Sequence, residues 1–496
     1  MMSEYYLGID LGTSGTTAIL LDESLGQVAL GYCAHPSSYP APGYAEQDGN
    51  ELFLCARAAA LEAVYKAGIT VSQIGCLGFD NQGESTVAWD ADTGMPLGPV
   101  ITWQDKRTAA DIEAMPAETR ERIRSITGLV PDAYFSATKM RHILTVYPDA
   151  AEKAKTGKLR MGTLDSFILY RMTDGQSFFT DPSTASRTML YDIRTGDWSE
   201  ELLRLFGIPR ECLADIRPTV GPFGITSPKF LGGAIPITGS AVDQQAALFG
   251  QCCFAPGELK ATYGTGCFLL MNTGNTPVLS DNGLLTTVAW EMDGKRSFAL
   301  DGGVCSAGST VNWLKSNMNF ISAPSETEKM ALSVPDTAGV YFIPAFSGLS
   351  APYWDQSARG TITGMTLMTQ KEHVVRAALE GIAYQVADIV RSMESDCRSP
   401  VSLIRADGGL TENAFLMQFQ SDILDIPLEV PCIYETTAFG ASVMAGLGAG
   451  RLSSAEDIRR IWKCAARYEP SMPRSKRESL LEGWHEAIQY SRKTKA

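Results

Sequence analysis

The sequence predicts an α/β protein built as two duplicated lobes with a cleft between them, and three observations carry that prediction. The chain has 496 residues, too many for one hydrophobic core. Two turns rich in glycine and hydroxyls recur about half a chain apart, Asp10-Leu11-Gly12-Thr13-Ser14-Gly15-Thr16-Thr17 and Tyr263-Gly264-Thr265-Gly266, each between apolar, β-rich runs. After each turn the order of elements repeats: hairpin, short strand, polar or glycine-rich strand end, helix. The boundary is expected near residue 250, giving lobes of residues 1–249 and 250–496.

The first lobe opens with Tyr6 to Ile9 and Ala18 to Leu21 as the arms of a hairpin. Its turn leaves backbone N–H groups and hydroxyls free to receive phosphate oxygens. Either turn alone is no more than an ordinary glycine hairpin; the duplication and the single Asp10 before the first turn favour a phosphate clamp. Leu52, Phe53, Ala56, Ala60, Leu61 and Val64 recur at helical spacing over Asn50 to Ala67, with Asp48 placed to cap. Ile74 to Phe79 is an apolar strand ending at Asp80-Asn81-Gln82-Gly83-Glu84, where open α/β sheets place ligand contacts. Val87 to Trp89 and Val100 to Trp103 continue as strands, and Arg107 to about Thr173 reads as mostly helical. The three prolines of Gly221 to Ile237 suggest a crossing loop, followed by a strand to Thr238 and a helix over Ala241 to Phe249. In the second lobe we expect a strand at Ser297 to Leu300, a helix at Ala307 to Lys315, a long helix at Glu372 to Ser395, and a strand at Leu403 to Ala406 that stops at Asp407-Gly408-Gly409.

Composition narrows the class. With 42 Lys plus Arg against 56 Asp plus Glu, the net charge of -14 argues against nucleic acid or an anionic membrane as partner. A phosphate ligand must then be held locally, by amides and a metal ion. The eleven cysteines show no CxxC pair, so neither a zinc site nor a disulfide framework is implied and a cytoplasmic setting is expected. We see no signal peptide and no apolar run approaching the roughly 18 residues of a membrane span; the nearest, Gly440 to Gly450, is short and small-residue rich.

Asp10 stands where a first strand delivers a carboxylate beside the phosphate turn, a usual anchor for hydrated Mg²⁺ or, equally, a turn cap. Asp243 follows a strand and opens a helix, so position alone makes it an N-cap. Its company raises it: no Ser/His/Asp order exists, and phosphoryl transfer would need a carboxylate to take the acceptor's proton. Glu84 and Gln244 could orient hydroxyls, with Trp103 and Tyr134 as flat walls or as plain core. Gly408-Gly409 ahead of Asn413 allows close approach of a flat group such as adenine, or is simply a strand-to-helix turn.

The chain resembles the FGGY carbohydrate kinases over nearly its whole length. The resemblance is carried by IDLGTSGTTAILLD at 9–22, TGLVPDAYFSATK at 127–139, DQQAALFGQ at 243–251, YGTGCFLLMNTG at 263–274, GLSAPYWDQSARGTITGMT at 348–366 and ADGGLTENAFLMQFQSDIL at 406–424. It implies an actin-like ATPase fold of two RNase H-like lobes, with ATP and Mg²⁺, closing over a polyol or sugar. By the same resemblance Asp243 is the general base and Asp10 the magnesium-associated carboxylate. Thr13, Ser14, Gly15, Thr265, Gly308, Asn312, Gly409 and Asn413 correspond to nucleotide contacts, and Glu84, Trp103, Tyr134, Asp243, Gln244 and Phe268 to the polyol site. The natural assembly is expected to be a homo-oligomer, a dimer or tetramer.

Departures from the family pattern bear on the substrate. Gly83 stands where glycerol-phosphorylating members carry an arginine, so a planar donor fork is lost and volume is expected to open for a longer polyol. Thr17 replaces a usual Arg or Lys at the first phosphate turn, His142 replaces a tryptophan, and Ala234 stands where some bacterial members bind a sugar bisphosphate through arginine. The leading expectation is an ATP-dependent kinase acting on a primary hydroxyl of glycerol or a related, larger polyol or sugar. The alternative is a non-catalytic, actin-like ATP switch, motivated by the cations missing at Gly83 and Thr17 and opposed by the retained polyol-site residues. A sugar-responsive regulator has no DNA-binding element to support it.

Overall fold

The computed structural model describes residues 4–492. Two sheets dominate it, and they repeat one topology. In the first, Gln27–Ala34, Gly15–Leu21 and Tyr5–Leu11 form an antiparallel meander; Ile74–Asn81 and then Pro236–Val242 add in parallel, and Val220–Ile225 closes the edge antiparallel. In the second, Lys295–Val304, Cys267–Gly274 and Glu258–Tyr263 form the meander, Leu403–Asp407 and Leu428–Pro431 add in parallel, and Cys464–Tyr468 closes the edge antiparallel. The second sheet carries one more strand, Leu285–Met292, outside its meander. This is the RNase H-like duplication of an actin-like fold, with both glycine turns at the same place in it.

Local sequence explains these elements. Leu7, Ile9 and Leu11 point into one core with Leu20, Leu77, Phe79 and Ile237; Leu259, Ala261 and Tyr263 do the same in the second lobe. Ile74–Asn81, covered on both faces, is buried at every position and reads as an apolar run. The helix Gly49–Ala67 starts where Asp48 accepts from the N–H groups of Asn50 and Glu51, and stops at Gly68 in the left-handed region.

Two expectations are corrected. The stretch after Arg107 holds five helices but is broken by the strand Leu159–Thr163, which pairs antiparallel with Thr86–Asp90. The expected crossing loop contains the edge strand Val220–Ile225, whose Pro222 is tolerated because an edge needs fewer ladder donors.

Behind the cleft the lobes exchange helices. Asp243–Gly250 leaves the last parallel strand of the first sheet and reaches strands of the second; Thr436–Gly448 leaves the last parallel strand of the second sheet and lies on the first. The seam is built from missing side chains. Gly8, Gly78 and Gly239 stand side by side in three adjacent strands. A Cβ at Gly8 would come 2.2 Å from the Ala438 carbonyl oxygen and one at Gly78 2.0 Å from that of Ala441. Where the two exchanged helices cross, a Cβ at Gly440 would meet the Ala246 oxygen at 1.9 Å. The small-residue run at 440–450 is therefore lobe contact; among the described residues no helix is long and apolar enough to cross a membrane.

Candidate active site

Strand register assembles the cleft floor. Asp10, Asp80 and Ala241 are neighbours across three parallel strands, so the ends of these strands bring Asp10, Asp80 and Asp243 to one place. Asp80 lies within a strand rather than after it; the sequence placed it in a polar strand-end cluster but gave it no role of its own. Burial raises both carboxyls of the first pair, Asp10 to about 7 and Asp80 further, as two like charges share a low-dielectric site. Neither Asp80 oxygen has a protein donor. Uncompensated buried carboxylate oxygens beside a phosphate turn suit a hard divalent cation that takes one or two carboxylates and completes its shell with water and phosphate. Among the described residues no group of three or more acidic, His or Cys side chains is placed to hold a metal ion.

Asp243 begins its helix without acting as the N-cap, a position held by Val242; its Oδ1 accepts the N–H of Gln244 at 2.7 Å. Burial pushes its carboxyl above the ordinary range, opposed by that N–H and by the Lys260 ammonium. A base whose pKa is lifted toward neutrality fits proton abstraction better than a fully solvated carboxylate.

One pocket is lined by Thr13, Glu84, Trp103, Tyr134, Asp243, Gln244 and Phe268, so the structure brings together all six residues expected at the polyol site. Trp103 and Tyr134 pack edge to face with centroids 5.9 Å apart, and the Trp103 indole N–H donates to Thr13 Oγ1 at 2.9 Å, tying this wall to the first phosphate turn. Gln244 Oε1 accepts from Lys260 Nζ at 2.5 Å across the lobe junction. Past Trp103, Tyr134 and Phe268 the pocket runs into a larger, mainly apolar vestibule of about 330 Å³.

Gly83 lines this pocket, but the room left by its missing side chain is not simply open: Val242 Cγ2 stands 2.8 Å from where a Cβ would lie, at the start of the path an arginine would take. Nor is the site without a guanidinium. Arg187, buried and missed by sequence reasoning, donates from Nε to Glu84 Oε1 at 2.6 Å and places Nη1 2.9 Å from Asp301 Oδ2 on the second lobe. Nothing local in Ser186-Arg187-Thr188 signals this, because Glu84 and Asp301 are both about a hundred residues away in sequence.

The expected nucleotide residues fall into two groups. Thr13, Ser14 and Gly15 form the first turn, where the Thr13 carbonyl accepts from Gln47 and that of Ser14 from His35 N–H. Across the cleft, Gly308 N–H donates to Gly264 and Ser309 N–H to Thr265, joining the second turn to the helix Gly308–Ser316 that carries Asn312. Gly408, with φ 89°, packs on Tyr263, and a Cβ at Gly409 would meet nothing within 4 Å. Asn413 is otherwise employed: Oδ1 caps the following helix at Leu416 N–H, and Nδ2 donates to Thr327.

Known proteins resemble the chain along nearly its whole length. The N-terminal domain of the FGGY family of carbohydrate kinases matches residues 5–250 and its C-terminal domain residues 259–449. The chain is 45% identical over 494 residues to a glycerol kinase of Carboxydothermus hydrogenoformans, covering 99% of each, and 46% identical over 489 residues to glycerol kinase 2 of Thermotoga maritima, covering 98% of this chain and 99% of the other. Among solved structures it superposes on Plasmodium falciparum glycerol kinase with ADP at a TM-score of 0.93, with 35% identity over 99% of this chain and 98% of that one. With both family domains in order along the chain and relatives of this identity over its whole length, the chain belongs to the FGGY family of carbohydrate kinases and is an ATP-dependent kinase.

Proposed function

We propose that the enzyme transfers the γ-phosphoryl group of ATP to a primary hydroxyl of glycerol, with Asp243 as the base. The observation that carries this reading is the single pocket in which Asp243 faces Glu84, Gln244, Trp103, Tyr134 and Phe268. Glu84 and Gln244 orient the hydroxyls; Trp103, Tyr134 and Phe268 cover the C–H faces and exclude water. Asp243 accepts the proton as the alcohol oxygen attacks phosphorus, the bond to the β-phosphate oxygen breaks, and ADP leaves. Glycerol is favoured over a larger polyol because Val242 narrows the room that Gly83 leaves and because Arg187 supplies a guanidinium at Glu84.

Asp10 and Asp80 would hold Mg²⁺, which supplies charge neutralisation at the phosphates when bound. Thr13, Ser14 and Gly15 from one lobe and Thr265, Gly308, Asn312 and Gly409 from the other would receive the nucleotide, with Asn413 shaping the same wall through its cap. We divide the chain functionally at 249/250. The free thiols of the described cysteines fit a reducing, cytoplasmic setting.

An acceptor screen tests the substrate: polyols and sugars of three to six carbons, with ADP release coupled to a colour reaction, should show the highest kcat/KM for glycerol. A preference for a five- or six-carbon acceptor would overturn that assignment and leave the kinase class intact.

A further inference from the structure

Lys139 is a buried charge that the reaction as described does not use. Its side chain is fully buried in the first turn of the helix Ser136–Val146, and among the described residues no carboxylate lies within 4 Å of its ammonium. Burial of an unpaired ammonium is costly, and an apolar side chain of similar length would fill the same space at less expense. Burial lowers its pKa to about 7, with Glu84, Asp105 and Asp132 drawing it up and Arg107 pushing it down. Stability is therefore a poor explanation for a lysine at this position.

Its hydrogen bonds suggest another. Nζ donates to the Tyr134 carbonyl at 2.6 Å and to the Glu84 carbonyl at 3.3 Å. The Glu84 carbonyl also accepts from Thr86 Oγ1 and Ser136 Oγ, both at 3.1 Å. Glu84 itself has φ 58°, a left-handed backbone that a glutamate adopts only where surrounding groups over-determine it. Three side-chain donors on one carbonyl provide that constraint. Two of them, Ser136 and Lys139, come from the helix that follows Tyr134, and Lys139 alone reaches both carbonyls.

We propose that Lys139 is a positioning residue for the alcohol: its ammonium ties the backbone of Glu84 to that of Tyr134 and so fixes the separation between the hydroxyl-binding carboxylate and the aromatic wall. This rests on the reading of Glu84 and Tyr134 as acceptor-binding residues. An error of about 1 Å at either group would misplace the attacking oxygen, and orientation of that kind is worth large factors in rate or affinity.

The test uses the full chain with the acceptor best used in the screen. Lys139→Met should raise the acceptor KM at least tenfold while the KM for ATP stays within twofold, and Ser136→Ala should raise the acceptor KM about threefold. Glu84→Ala is the control for the underlying reading. If Glu84→Ala leaves the acceptor KM unchanged, the acceptor site itself is misplaced. If Glu84→Ala raises it and folded Lys139→Met does not, the positioning role is wrong. A Lys139→Met enzyme that loses affinity for ATP and acceptor alike would show a general structural role and also overturn the proposal. Should Lys139→Met not fold, Lys139→Gln, which keeps a donor but is too short to span both carbonyls, decides: an unchanged acceptor KM refutes the tie, and a selective rise supports it.

Discussion

The cleft floor and the seam share the same parallel strands, Asp10 and Asp80 standing two residues beyond Gly8 and Gly78, yet they are built on opposite principles. At the floor, Asp10, Asp80 and Asp243 crowd like charges into a poorly solvated place, raising all three carboxyls. At the seam, glycines remove side chains until backbone meets backbone, with Gly78 against Ala441 and Gly440 against Ala246. Both depart from what maximises local stability: the floor is electrostatically strained, the seam close-packed and uncharged. The difference teaches where substitution should harm chemistry without harming the fold, and where the reverse holds.

The largest expected effect is at the floor. Asp243→Asn should lower kcat by about 10³-fold, within the range of a lost general base, with little change in melting temperature and with ATP binding by calorimetry retained. Near-normal turnover would remove Asp243 from the role. Gly78→Ala sharpens the contrast from the seam: overpacking against the Ala441 carbonyl should cost on the order of 3 kcal/mol in urea unfolding, against under about 1 kcal/mol for Gly409→Ala, where a Cβ meets nothing within 4 Å. Equal costs at the two glycines would break the comparison.

Titration of the Asp10 and Asp80 pair gives a smaller effect with a definite sign. A carboxyl whose folded pKa is raised binds more protons in the folded state, so without divalent cations stability should fall as pH rises from about 4, the unfolded value, to about 7, the value for Asp10. Asp80→Asn should remove much of that slope and raise the melting temperature at pH 8 by on the order of 2 °C, while lowering activity. A variant melting below the parent at pH 8 would show that the pair is not strained. The smallest effect concerns the acceptor wall. Gly83→Arg should lower kcat/KM several-fold because Val242 occupies its path, and adding Val242→Ala should recover part of the loss; independent, additive effects would disprove the coupling.

Much of this was legible in the sequence where the signal is local. Both hairpins, the capped helix after Asp48 and the long helix Lys371–Cys397 announce themselves through spacing and turn residues. Leu159–Thr163 did not, because five residues between helices carry no periodicity of their own and become a strand only by pairing with Thr86–Asp90. The acceptor-pocket residues could be named through family resemblance and Asp80 only as one of a polar strand-end cluster, whereas Arg187 and Lys260 could not be picked out from position. Asp80 matters because it lies in register with Asp10, Arg187 because Glu84 and Asp301 converge on it, and Lys260 because Gln244 reaches it across the junction. Each is a consequence of distant chain segments meeting. Gly83 misled for the same reason: a missing side chain reads as empty space until its neighbour Val242 is seen.

The row of Gly8, Gly78 and Gly239 under the helix Thr436–Gly448 has a mechanical consequence. Surfaces that interlock at main-chain distance cannot glide over one another without collision. A single methyl group added at Gly78 would have to lift the helix or push its strand, and Asp80 stands only two residues further along that strand, so a packing change at the back would be felt as a displaced carboxyl at the front.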